Sequence, residues 1–218
     1  MNSSELLTLF RTEVQDTERP YLWSDEDIFA FEDDAQLTFC RKTDGISDAT
    51  TTAVTTIAVV PTTDWVDLHE SILKIRSARR SDTGAPIEVL NEEDMAERGL
   101  RFDGRTGPVK VLVIGAEAHK ARVWPVSNET VSIRLTVFRL PLEEITSDGD
   151  QAFEIDREHH RHLMWWMKYL AYSKDDVETY NKTKAAEAET KFFAYCAQVA
   201  EEERRKRHKT RIVRYGGV

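Results

Sequence analysis

Between Asp156 and Lys174 the chain reads as one helix carrying apolar residues on two faces, and no other feature restricts the fold as much. Leu163, Trp166, Met167, Leu170 and Ala171 fall on one broad face, and Trp165, Tyr169 and Tyr172 on a second. A helix that is apolar on two faces has to be packed from several sides, so it belongs at the centre of a bundle. A second helix is expected to begin near Lys174 or Asp175 and to run toward His208. Its stripe is Ala185, Ala188, Phe192, Tyr195, Cys196 and Val199, with small alanines that permit close approach to a neighbour. Beyond Val199 no large apolar residue appears until Ile212. The last stretch, EEERRKRHKTRIVRYGGV, therefore has nothing of its own core to hold it.

The rest of the bundle is expected at the other end of the chain. Leu6, Leu7, Phe10 and Val14 recur at helical spacing over residues 3–15, and Pro20 interrupts the pattern. Ser24 is placed to cap a further helix running to about Lys42, with Asp25, Glu26 and Asp27 at the positive end of its dipole. Ile28, Phe31, Ala35 and Phe39 share a face of that helix, whereas the run Glu32-Asp33-Asp34 reads as solvated. The middle of the chain changes period. TTTAVTTIAVV is β-branched and stops at Pro61, Ile72–Ser77 and Pro86–Leu90 read as strands, and Asn91 caps a short helix ended by Gly99. PVKVLVIG, KARVWPV and TVSIRLTVFRL follow, the last with Val131, Ile133, Leu135 and Val137 on one face and Ser127-Asn128-Glu129 as the preceding turn. Five or six short strands are expected in all.

Taken together these periods predict an α+β chain: a small helical bundle with an inserted antiparallel β domain and an extended C-terminal helix or tail. The expected divisions are residues 1–45 for the N-terminal helices of the bundle, 46–145 for the β insertion, 146–200 for the C-terminal helices and 201–218 for a basic extension. With 218 residues, 40% of them hydrophobic and 32% charged, such a chain can bury a core without disulfides or metal. Cys40 and Cys196 both fall in helical patterns and are expected as buried free thiols. MNSSELLTLF lacks a basic n-region and a long apolar run, so no signal peptide is expected, and no segment approaches the roughly 20 apolar residues of a membrane span.

Charge is uneven. Residues 1–60 hold twelve acidic and four basic residues, whereas 201–218 hold three acidic and seven basic ones. The overall net charge of −9 argues against nucleic-acid binding by the surface at large, while the basic end suits an acidic partner surface.

Catalytic signatures are sparse. DGRTGPV lacks phosphate-loop spacing and reads as a turn, and neither a GxSxG elbow nor paired CxxC motifs occur. In Glu158-His159-His160-Arg161-His162, His159 and His162 stand three apart, so both can face one metal ion, but no HExxH spacing accompanies them. A metal-dependent hydrolase using His159 and His162 is therefore the alternative to a non-enzymatic reading, which needs no cofactor.

Several blocks, in order, resemble the head-to-tail adaptor proteins of short-tailed bacteriophages. They are LWSDEDIFAFEDDAQLTFCRKT, TIAVVPTTDWVDLHESILKIRSARR, VWPVSNETVSIRLTVFRLPLEEI and FEIDREHHRHLMWWMKYLAYSKDDVETYNKTKAAEAETKF, the last including Asp176-x-Glu178-x-x-Asn181-x-x-x-Ala185. The resemblance covers about residues 20–195; the acidic EDDAQ departs from the family pattern. It implies a structural virion protein that forms a ring, commonly of twelve copies, in the neck between capsid and tail, after a stay in the host cytoplasm during assembly. Such a ring attaches to the portal protein, extends a channel through which genome DNA passes without sequence-specific binding, and offers a platform to tail or nozzle proteins. No membrane is involved. Because related adaptors reach onto the portal with their C-terminal segment, the resemblance assigns portal binding to Arg204, Arg205, Lys206, Arg207, Lys209, Arg211, Ile212, Val213, Arg214 and Tyr215. A host-encoded scaffold without a phage role is a further reading.

Overall fold

The computed structural model describes residues 1–146, 151–174 and 179–207. In chain order, α1 (Ser3–Val14) and α2 (Asp25–Lys42) are followed by β1 (Ile46–Asp48), α3 (Thr52–Thr55), β2 (Thr56–Val59) and β3 (Trp65–Asp67). Next come β4 (Ile72–Arg80), β5 (Pro86–Asn91), α4 (Glu92–Glu97), β6 (Val111–Ile114), β7 (Lys120–Trp124) and β8 (Val131–Arg139). The chain closes with α5 (Arg157–Ser173) and α6 (Lys182–Arg207). The α+β class is as expected. Two compact units result: a helical one from residues 1–43 and 143 onward, and a β one, Asp44–Leu142.

In the helical unit α5 touches α1, α2 and α6, the central position its two apolar faces require. Leu163, Met164 and Met167 are fully buried, each such side chain contributing about 2 kcal/mol of burial. Trp166 packs at a tilt against Tyr169 and Phe192 and donates its indole N–H to Asp34 at 2.6 Å. Helix ends follow local chemistry. Asn2 and Glu5 form a reciprocal capping box on α1, and the Ser24 hydroxyl accepts the Asp27 amide at 3.1 Å to start α2. α6 starts at Lys182, later than the expected Lys174 or Asp175, because Asn181 caps it: its side-chain oxygen accepts the Lys184 amide at 3.0 Å. Between α1 and α2, buried Arg11 gathers the chain. It donates to Asp16 at 2.7 Å, to the Trp23 carbonyl at 3.0 Å and to Asp25 at 2.5 Å, while Asp16 accepts the Leu22 amide.

The β unit is one sheet in the order β1-β8-β4-β5-β6-β7-β3, with β2 also on β8. Among the described residues the named strands number eight rather than five or six, because β1 and β3, three residues each, are too short to leave a period. The paired strands are antiparallel apart from β5 and β6, which run parallel, so the sheet is mixed rather than purely antiparallel. The connection responsible is α4 with its loop: Asn91 caps α4 by accepting the Asp94 amide at 2.7 Å, and Gly99, at φ +68°, ends it in the left-handed turn foreseen for it. Val131, Ile133, Leu135 and Val137 of β8 are all buried in the main core with Leu112 and Val123. Leu90, Met95, Val111, Val113 and Trp124 form a second cluster, so β6 buries both of its faces.

The TTTAVTTIAVV segment departs from expectation. Its first half is the helical turn α3, and only Thr56–Val59 is strand. Asp48 causes this: its Oδ1 accepts the amides of Thr50 at 2.9 Å and Thr51 at 3.0 Å, which turns the chain just where β-branching favours extension. The Thr51 carbonyl then accepts the Thr55 amide and hydroxyl, both at 2.9 Å. Asp48 Oδ2 meets Arg139 Nε at 2.7 Å, tying β1 to the end of β8. Gly45 beside them is obligatory: at φ +81°, a Cβ would stand 2.6 Å from the Arg139 carbonyl oxygen.

Candidate interaction surface

α6 buries Ala185, Ala188, Phe192, Cys196 and Val199, and Val199 is its last buried residue. From Ala200 to Arg207 the helix continues for two turns with no buried side chain. What sustains it there is a set of i,i+3 and i,i+4 ion pairs. Glu201 pairs with Arg204 and, at 3.0 Å, with Arg205; Glu203 pairs with Lys206 at 2.6 Å and Arg207 at 3.8 Å. The hydrogen bond from Arg205, helped by Arg204, lowers the Glu201 carboxyl below its ordinary value. Arg204, Arg205, Lys206 and Arg207 therefore stand together on the last turns of the helix with their charge matched locally. Lys209, Arg211, Ile212, Val213, Arg214 and Tyr215 lie outside the described residues.

The histidine cluster resolves into packing around Tyr195. The His159 ring nitrogen Nδ1 is 2.9 Å from the Tyr195 hydroxyl, and His162 stacks on the Tyr195 ring with centroids 3.7 Å apart. Burial lowers both imidazoles and raises the Tyr195 phenol to about 12. Asp156, Glu158 and His159 bring potential ligand atoms within 4.8 Å of one another, but His162 is not among them. The pair expected to share one metal is thus engaged with an aromatic ring, and the hydrolase alternative finds no support. His160, which the sequence left without a role, is buried and bonds the Ile155 carbonyl at 2.9 Å through Nε2.

The acidic run of α2 is not the solvated face it resembles. Glu32 is fully buried, and neither carboxylate oxygen has a hydrogen-bond partner; burial raises its pKa to about 9. Asp33 Oδ1 accepts the Ile145 amide at 3.0 Å, and Asp34 holds Trp166. The signal was available: Glu32 falls four residues after Ile28 and three before Ala35, on the buried stripe itself. Cys40 and Cys196 are both buried, and burial raises the Cys196 thiol to about 12. No helix among the described residues is long and apolar enough to cross a membrane.

No curated protein matches the chain. The blocks that resemble the adaptors of short-tailed bacteriophages lie within a match running nearly end to end. Residues 1–214 fit the model of the family described as SU10 adaptor protein, and the chain belongs to that family.

Proposed function

We propose that this adaptor is a non-enzymatic, ring-forming virion protein that attaches to the portal protein through the end of α6 and the residues after it. The ring, of twelve copies, extends the DNA channel and carries tail or nozzle proteins on its far side. It forms in the host cytoplasm and stays in the neck of the particle. Residues 1–45 and 146–200 serve as bundle, 46–145 as the β insertion and 201–218 as the assembly segment, with Arg204, Arg205, Lys206, Arg207, Lys209, Arg211, Ile212, Val213, Arg214 and Tyr215 as the portal contact.

The observation that carries this reading is the helix that outruns its core. Two turns of α6 after Val199 hold no fully buried side chain, and a segment with Ile212, Val213 and Tyr215 follows them in the sequence. Helix ends of this kind gain their packing on a second molecule, where ordering a few residues adds a large interface. Deleting residues 203–218 tests it. The shortened protein is expected to unfold at the same temperature as the full chain, because no described residue it loses is buried, and to lose capture by immobilised portal protein. Undiminished capture would sink the assignment.

A further inference from the structure

The exposed face of β4 and β8 carries a charge arrangement that the chain does not balance. Arg79 and Arg134 are register partners across the antiparallel ladder, and opposed residues hold their Cβ atoms about 5 Å apart. Like charges so placed repel. The row extends to Thr56 on one side and Pro86 on the other, so no carboxylate interrupts it. Neighbouring Arg80 is already matched, by Asp82 at 2.7 Å and Glu129 at 2.8 Å. Arg79 and Arg134 have no acidic partner among the described residues. They line a concavity of about 260 Å³ together with the hydroxyl residues Ser77, Ser81 and Thr136. Paired guanidiniums with hydroxyl donors beside them make a receptor for carboxylates or phosphates.

The opposite arrangement occurs in the helical unit. A groove of about 330 Å³ on α2 is floored by Phe29 and Leu37 and rimmed by Glu26, Asp33, Asp34 and Glu144. Burial raises the Asp33 carboxyl, and the negative charges of Glu144 and Asp34 raise it further, against the Ile145 amide that lowers it. Glu26 and Glu144 make no ion pair with any described residue. Acidity is concentrated in this unit: residues 44–142 hold fourteen acidic and twelve basic residues, a net −2 of the chain's −9.

We infer that the Arg79–Arg134 concavity of one copy docks on the acidic α2 groove of a second copy, head to tail. The contact is heterologous, so each copy offers one site of each sign, the arrangement that closes rings. Each side relieves the like-charge crowding of the other, and the apolar floor is covered. The net charge of −9 favours an acidic protein surface over a polyanion as the counterpart, since DNA approaching this chain meets net repulsion. This would be the repeated contact of the proposed ring and rests on that reading; its test needs no portal, so the two fail separately.

Self-association of the full chain by sedimentation at low salt is the measurement. The wild type is expected to associate, and raising salt from about 0.05 M to about 0.5 M weakens this about tenfold or more. R79E/R134E and E26R/E144R each abolish it. All four positions lack an ion-pair partner among the described residues, so the variants fold, while the charge-matched control R101E/K110E associates as the wild type does. Mixing the two inert variants restores association, because every acidic site then meets a basic one. A wild type that stays monomeric throughout, association untouched by R79E/R134E, or a mixture that stays monomeric would each overturn the inference. So would a duplex DNA fragment whose binding, followed by anisotropy, depends on Arg79 and Arg134 while self-association does not.

Discussion

In the β unit the Asp48 carboxylate is 5% exposed and accepts hydrogen bonds from Thr50, Thr51 and Arg139; in the helical unit Glu32 is buried completely and accepts none. Burial pushes both acids toward the neutral form. At Asp48 the Thr51 amide and hydroxyl, the Arg139 guanidinium and the Thr50 amide override it and hold the group well below the usual carboxylate range. At Glu32 nothing opposes burial, and the pKa rises to about 9. Glu32 lies deeper, and it also lacks the partner set that Asp48 has. An acid buried with donors organises its surroundings, as Asp48 does by turning the chain into α3. An acid buried without them is neutral at pH 7 and costs stability.

The sharpest way to break the comparison is to remove Asp48. Asp48→Ala takes the 2.7 Å ion-pair partner from Arg139, which is 7% exposed, and frees the turn that starts α3. The expected loss is about 3–5 kcal/mol by urea unfolding. The sign with pH follows from the lowered pKa: the Asp48 contribution is fully present above the unfolded value of 3.8 and fades as pH falls below it. The gap between wild type and variant therefore narrows in acid. A gap that stays constant down to pH 2 would show that Asp48 acts by packing alone.

A helical-unit counterpart asks whether partners, rather than the type of unit, make the difference. Arg11 is as buried as Arg139 and has Asp16, Asp25 and the Trp23 carbonyl as acceptors. Asp16→Ala removes the 2.7 Å ion pair and the acceptor of the Leu22 amide, but leaves Arg11 with Asp25. The expected loss is about 2–3 kcal/mol, smaller than at Asp48 because no helix-starting turn is lost with Asp16.

Glu32 should respond with the opposite sign. Glu32→Gln removes an acid whose folded pKa lies far above the unfolded value of 4.5. The penalty in the wild type is absent below pH 4.5, grows as pH rises and levels off near 9. The variant is therefore expected to be more stable by about 1–3 kcal/mol at pH 7, with no gain at pH 4. Equal stability of the two proteins at pH 4 and pH 8 would mean that Glu32 has found a partner.

These residues also mark what the sequence makes legible. Ser24, Asn91 and Gly99 act where their chemistry places them, and the alternation of Val131, Ile133, Leu135 and Val137 names the inner face of β8, because these signals are local. The α3 turn was hidden because it depends on Asp48, whose geometry is fixed by Arg139, 91 residues away. Glu32 was misread because its residue type outweighed its period. The parallel pairing of β5 with β6 has no local signature. At the candidate surface, the end of the apolar stripe at Val199 could be read directly, whereas the matching of Arg204 to Arg207 by Glu201 and Glu203 emerges only once the helix is known to continue.

The end of α6 supplies the smallest effect and the last term of the comparison, since its charges are as fully partnered as Asp48 but lie in water. There the solvent screens each pair and side-chain entropy opposes it, so partnering at the surface is not equivalent to partnering in the core. Glu201→Gln with Glu203→Gln removes the acidic side of the whole set, yet the unfolding midpoint is expected to stay within error. The readout that moves is local: amide exchange over Ala200–Arg207 quickens and far-UV helicity drops slightly, as it does in the wild type when salt is raised to about 1 M. Exchange up to Val199 stays slow in both, because burial rather than charge holds that part of the helix. Protection lost upstream of Val199 would mean that the ion pairs support the bundle itself, and the distinction between core and surface partners would fail in this helix.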